Sequence, residues 1–162
     1  MSLVFLILGG NRGNRAEIFS KAIDLVTSQI GRKIAISALY ESESWGFKSE
    51  PFMNQVIKIE TELSPAKVLE LSQQIETQLG RVRNTGGYEA RTLDIDLLYY
   101  DSLVIDSADL TVPHPRIAAR RFVLVPLEEI APDLKDPVTG ITVQEMLQKC
   151  IDVSAVWRLK GE

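Results

Sequence analysis

Leu3–Leu8 is an unbroken apolar run closed by Gly9-Gly10, the pattern of a central buried strand. The polar turn Asn11-Arg12-Gly13-Asn14 follows, and Asn14 with Glu17 three residues on predicts a capped helix start. Phe19, Ile23, Val26 and Ile30 then recur at helical spacing until Gly31. Ile34, Ile36, Ala38 and Tyr40 alternate with Lys33, Ala35, Ser37 and Leu39, which predicts a second strand. Glu41–Pro51 is polar around Trp45 and Phe47 and reads as a long loop with exposed aromatics. Phe52–Thr61 reads as a third strand, antiparallel to the second. Ser64-Pro65 opens a second helix whose stripe is Val68, Leu71, Ile75 and Leu79, stopped by Gly80.

Arg81–Arg91, with Gly86-Gly87 inside it, reads as a mobile basic loop, Leu93–Tyr100 as a fourth strand, and Val104–Ile105 as a short edge strand. Val112-Pro113-His114-Pro115 must be extended or turned. Arg116–Phe122 has room for one helical turn, the apolar Val123–Leu127 is interrupted by Pro126, and Thr142 with Glu145 predicts a cap on a short helix near Met146–Cys150. The order strand–helix–strand, twice, predicts an α+β fold. It is a ferredoxin-like split βαβ layer (βαββαβ) with C-terminal additions, its antiparallel sheet covered by both helices on one face. The other face is left for loops and ligand.

Length and charge narrow the function. The 162 residues suit one domain, 1–162, with a substantial core. Eighteen Lys and Arg against 22 Asp and Glu disfavour a non-specific nucleic-acid binder. The acid is unevenly spread: Glu128–Glu145 holds five acidic residues and one lysine, a net of −4 that equals that of the whole chain, so a local anion site elsewhere is compatible with the net charge. The single cysteine, Cys150, excludes an internal disulfide and fits a cytoplasmic chain. Neither a leader nor a membrane span is expected.

The sharpest segment for chemistry is Arg91-Thr92-Leu93-Asp94-Ile95-Asp96. On a strand, Leu93, Ile95, Leu97 and Tyr99 point into the core, and Asp94 and Asp96 leave the other face with Cα atoms about 6.5 Å apart. Such a pair is either a solvated strand face or a seat for Mg²⁺, which takes one or two carboxylates plus substrate phosphates. Arg81, Arg83 and Arg91 either compensate a helix end or grip phosphate oxygens. Gln73 and Glu76 share a helix face that is either simply wet or turned toward a nucleotide. His114, the only histidine, is held between prolines as a turn residue or a proton or phosphate partner, with Arg120 and Arg121 nearby. Trp45, Phe52 and Phe122 would form a slot for a flat heterocycle, its edge read by Asn54, unless each aromatic merely fills core. Gly9-Gly10-Asn11 belongs to neither a dinucleotide fingerprint nor a P-loop.

These motifs together, Gly9-Gly10-Asn11, Phe52-Met53-Asn54, Gly80-Arg81-Val82-Arg83, the block from Arg91 to Asp96, and Leu110-Thr111-Val112-Pro113-His114-Pro115-Arg116, resemble the 6-hydroxymethyl-7,8-dihydropterin pyrophosphokinases of folate synthesis along nearly the whole chain. The resemblance implies transfer of a pyrophosphoryl unit from ATP to the pterin hydroxymethyl group, with AMP released. It implies two Mg²⁺ ions held by Asp94 and Asp96, and ATP held by Gln73, Glu76, Arg83, His114 and Arg120. Arg81 and Arg91 would close over the phosphates. The pterin would meet Ser42, Glu43, Trp45, Phe52, Asn54, Asp94 and Phe122. The partners are then the two substrates, with no nucleic acid, membrane or obligate protein partner. Ser42-Glu43, Tyr88 and Gly10 stand where many members have a threonine–proline pair, tryptophan and serine. A non-catalytic nucleotide-binding module, an RNA-binding sheet and a phosphohydrolase are the competing readings.

Overall fold

A computed structural model describes residues 1–11, 13–43, 51–83, 89–91 and 93–159, with the backbone alone at 80–83 and 89–91. The chain runs β1 (Ser2–Gly10), α1 (Arg15–Gln29), β2 (Arg32–Ile36), β3 (Tyr40–Ser42), β4 (Phe52–Thr61), α2 (Pro65–Gly80), β5 (Arg81–Arg83), β6 (Glu89–Arg91), β7 (Asp94–Tyr100), β8 (Ile105–Asp106), β9 (Thr111–Val112), α3 (Arg121–Ile130), α4 (Val143–Lys149) and β10 (Val156–Arg158). The main sheet is antiparallel in the order β10-β3-β4-β1-β7, with β2 also paired to β4. It is mixed with four helices, two on each face.

Strand alternation sorts the core into two clusters. Val4, Leu6 and Leu8 of β1, Met53, Ile57 and Ile59 of β4, and Ile95 and Leu97 of β7 meet α1 and α2 through Phe19, Val26, Val68 and Ile75. Phe5 and Ile7, Val56 and Leu98 face the other way, onto Val123, Leu124 and Leu127 of α3 and Val143 and Met146 of α4. The helix starts follow the sequence. Asn14 accepts from the Glu17 N–H at 3.3 Å, Ser64 from Lys67 at 3.2 Å and Thr142 from Glu145 at 3.2 Å.

Several elements depart from expectation. The second strand is broken at Ser37–Leu39, and its apolar set does not share one face: Ile34 is 39% exposed while Ser37 and Leu39 are buried. Side chains satisfy the backbone at the break. The Ser37 hydroxyl accepts from the Val56 N–H at 3.0 Å, and Glu129 of α3 accepts from the Ala38 N–H at 3.1 Å and the Tyr40 hydroxyl at 2.7 Å. Burial and that carboxylate push the Tyr40 phenol up to about 12, so it stays a donor. Arg81–Arg91 begins and ends as a hairpin, β5 on β6, and α2 runs through Gly80. Pro126 does not break Val123–Leu127. Proline removes only the hydrogen bond to the Phe122 carbonyl, and burial of Val123, Leu124 and Leu127 sustains the helix. The ligand-facing side of the sheet is therefore partly roofed by α3 and α4 rather than left to loops.

Tyr99 also departs, for it lies on the α3 side, not with Leu93, Ile95 and Leu97. An irregularity in the β1–β7 register pairs Phe5 with Tyr99 but Leu6 with Leu97, so the alternation inverts at Leu98. Tyr99 donates to the buried Asp136 at 2.8 Å, while the other Asp136 oxygen accepts from the Val138 and Thr139 N–H groups. Burial and the carboxylate push this phenol strongly upward. Tyr99→Phe leaves the buried carboxylate short of a donor and is expected to cost about 1–3 kcal/mol in urea unfolding, with the urea m-value unchanged.

Candidate active site

The site forms where β1 and β3 end and β4 and β7 begin. Hydrogen-bonded neighbours place Tyr40, Asn54, Gly9 and Asp94 in one line across four strands, and Ile7 beside Asp96 in the next. Alternation turns Asn54, Gly9, Asp94 and Asp96 to the α3 face. They line a cavity of about 540 Å³ with Ser42, Glu43, Phe52, His114, Arg120 and Phe122. Gly9 is the floor between Asn54 and Asp94: a Cβ there would come within 3.1 Å of the Asn54 Oδ1. The sequence offered a signal for Gly9, since glycine inside a strand often marks close approach of a ligand. Arg116, at the end of the Leu110–Arg116 motif, and Asp152, which no sequence signal marks, also line the wall.

Each wall residue has a structural reason for its place. Asn54 is 4% exposed, and its Nδ2 donates to the Ser42 Oγ over a long 3.4 Å. Phe52 and Phe122 are half-buried, and the Arg120 guanidinium lies 5.6 Å from the centroid of the Phe122 ring. His114 follows the Val112–Pro113 peptide, which is cis, and its backbone N–H donates to the Leu98 carbonyl at 3.0 Å. The Arg116 N–H donates to the His114 Nδ1 at 3.2 Å, so the neutral ring carries its proton on Nε2. Burial holds the His114 pKa below its ordinary value; Asp96 opposes that shift, and Arg120 and Arg116 reinforce it. The ring is thus a neutral donor at pH 7.

A second hollow, about 710 Å³, runs along α2 past Gln73, Glu76 and Thr77 and reaches β7 at Ile95 and Asp96. Asp96 therefore lines both spaces. Glu76 does more than face solvent: its Oε2 accepts from the Ile95 N–H at 2.7 Å, fixing the strand between the two aspartates. The structure so brings Gln73 and Glu76 to one side of Asp96, and Asp94, His114, Arg120, Ser42, Glu43, Phe52, Asn54 and Phe122 to the other. Arg81 and Arg91 are backbone partners in the β5–β6 hairpin, with Arg83 opposite Glu89; their side chains, and Trp45 and Tyr88, lie outside the described residues.

Among the described residues, no group of three or more His, Cys, Asp or Glu side chains converges as a metal cage. The donor set fits Mg²⁺ nonetheless. Asp94 and Asp96 are hard carboxylates on one cavity wall and would hold Mg²⁺ together with phosphate oxygens and water. The described helices include none long and apolar enough to cross a membrane.

Asp152 closes the wall at the start of α3. Arg120, the α3 N-cap, makes no capping bond, and Asp152 instead accepts from the Arg121 N–H at 3.1 Å and the Ser154 N–H at 2.9 Å. Burial alone would raise its pKa, but the Ser154 and Arg121 hydrogen bonds and the Arg121 charge outweigh it and hold the value below 3.8. A lowered folded value contributes stability that is present above the unfolded pKa and lost as pH falls through the folded one. The Tm gap between wild type and Asp152→Asn is expected to persist from pH 7 to roughly pH 4 and to close in stronger acid.

The antiparallel sheet thus carries an aromatic-walled cavity lined by Asp94 and Asp96 and a polar groove along α2 that Asp96 also lines, the layout of a two-chambered enzyme site. Residues 5–132 match the family model of 7,8-dihydro-6-hydroxymethylpterin-pyrophosphokinase (HPPK), and the chain belongs to that family. It is similar to a 2-amino-4-hydroxy-6-hydroxymethyldihydropteridine pyrophosphokinase of Porphyromonas gingivalis, 39% identical over 136 residues, covering 82% of this chain and 92% of the relative. A protein of the same name from Methylorubrum extorquens is 39% identical over 162 residues, covering 99% and 100%. The fold matches a crystal structure of Plasmodium falciparum HPPK-DHPS with a TM-score of 0.74 at 17% identity, over 91% of this chain and 44% of that one.

Proposed function

We propose that the aromatic cavity takes the pterin, that the groove along α2 takes ATP, and that the two substrates meet at Asp94 and Asp96. The chain is a pyrophosphokinase: it transfers a pyrophosphoryl group from ATP to the hydroxymethyl group of 6-hydroxymethyl-7,8-dihydropterin, in folate biosynthesis. The observation that carries the site reading is the position of Asp96 on the wall of both hollows.

In this reading Phe52 and Phe122 flank the pterin ring, and Asn54, buried beside the Gly9 floor, pairs with its polar edge. Glu43 and Ser42 bound the ring at the loop side, with Trp45 assigned there by resemblance. Gln73 and Glu76 border the nucleotide, and Arg83 joins them. The Nε2–H of His114 donates to a phosphate oxygen, and Arg120 adds a positive charge from the far wall. Asp94 and Asp96 would hold two Mg²⁺ ions, which when bound would offset phosphate charge and lower the pKa of the acceptor hydroxyl. Arg81 and Arg91, adjacent across the hairpin, neutralise the rest as they close over the phosphates. The acceptor oxygen attacks the β-phosphorus and AMP leaves; positioning and fixed charge, not a strong base, lower the barrier.

The strand order β3-β4-β1-β7, with α1 and α2 on one face, supports a ferredoxin-like layer as the working unit, and we read 1–162 as one domain. A single cysteine suits a reducing cytoplasm. The test is AMP formation from ATP with and without 6-hydroxymethyl-7,8-dihydropterin. AMP that appears only with the pterin is expected. Phosphate released with water alone would make the protein a hydrolase, and nucleotide binding without AMP would make it a binding module.

A further inference from the structure

Arg15, the first residue of α1, sits where a cation works against the helix dipole, so the helix itself gives no reason for it. Its reason lies in the strand ends on its own face of the sheet. The Arg15 Nη1 is 2.6 Å from the Glu41 Oε2 and donates to the Pro51 carbonyl at 2.9 Å. The other Glu41 oxygen accepts from the Trp157 indole N–H of β10 at 3.2 Å. Arg15 and Glu41 are 25% and 14% exposed, so this contact is shielded compared with an ordinary surface pair.

Glu41 and Pro51 are each one residue from the cavity wall. Ser42 follows Glu41 as the last residue of β3, Phe52 follows Pro51 as the first of β4, and Ser42 and Phe52 are partners in the final rung between those strands. Strand side chains alternate, so Glu41 leaves the sheet on the face opposite Ser42. One guanidinium nitrogen therefore ties both strand ends from behind. The last rung of a ladder would otherwise separate most readily, and here it carries two residues of the wall.

We propose that Arg15 is a positioning residue for the pterin: from the face opposite the cavity it holds the strand ends bearing Ser42 and Phe52, and so sets the width of the pterin end. This rests on reading the cavity as the pterin site. It requires a split between the substrates, because the ATP groove along α2 shares no residue with the clamp.

Steady-state kinetics of the full chain, with Tm measured in parallel, tests it. Arg15→Ala is expected to raise the pterin KM roughly tenfold and leave the ATP KM and kcat within about twofold of wild type. Arg15→Lys, which keeps the charge but not the fork, is expected to restore part of the loss. A lowered Tm with an unchanged pterin KM, or an equal rise in both KM values, would overturn the proposal. Should the alanine variant fail to fold, Glu41→Gln, which weakens the same tie, must raise the pterin KM alone; no rise overturns the proposal equally. A wild-type chain that forms no AMP would instead sink the reading of the cavity, and this inference with it.

Discussion

Asp96→Ala is expected to lower turnover by at least ~10²-fold at saturating Mg²⁺, about 3 kcal/mol of barrier. The carboxylate lies where the two hollows meet, so in the proposed site its loss would remove a metal ligand from the point where nucleotide and acceptor are aligned. The strand should survive the change. Asp96 is exposed, and its neighbours Ile95 and Leu97 keep their places in the core. Equal Tm values with the loss of rate would locate the effect in chemistry; near-normal turnover would remove the metal role.

The second large effect belongs to Asn54→Leu. The substitution roughly keeps side-chain volume and removes the amide's carbonyl and NH₂ from a position that is 4% exposed. In the proposed site the pterin's polar edge would then face leucine and lose its partners. The kcat/KM for pterin should fall roughly 30-fold, about 2 kcal/mol, with the ATP KM little changed. Ser42 would lose only a weak donor, so the fold should tolerate it. Equal losses for ATP and pterin would mean that Asn54 serves the sheet and not the ring.

The contrast between these residues shows what a sequence discloses. Asp94 and Asp96 were legible because strand alternation alone puts them on one face, and the apolar residues Leu93, Ile95 and Leu97 say which face is buried. The caps at Asn14, Ser64 and Thr142 were legible because the bonding partner is three residues away. Tyr99 lies opposite its expected face because the register irregularity at Leu98 is set by pairing with β1, a contact between residues more than ninety apart. The helix through Pro126 was hidden for a related reason: local proline chemistry argues against it, and burial on the sheet decides for it. Gly9 gained its meaning only when β1 was laid between Asn54 and Asp94. The Arg15 tie to Glu41 and Pro51 spans more than twenty residues and follows no periodicity.

In the proposed site Asp94 and Asp96 face a metal-bound triphosphate. A crystal structure with Mg²⁺, 6-hydroxymethyl-7,8-dihydropterin and a non-hydrolysable ATP analogue tests that most directly. Metal density is expected between both carboxylates and the β- and γ-phosphates, with the pterin hydroxyl in line with the β-phosphorus and its ring between Phe52 and Phe122. Carboxylates without metal and turned from the triphosphate, or a nucleotide seated away from Asp96, would contradict it.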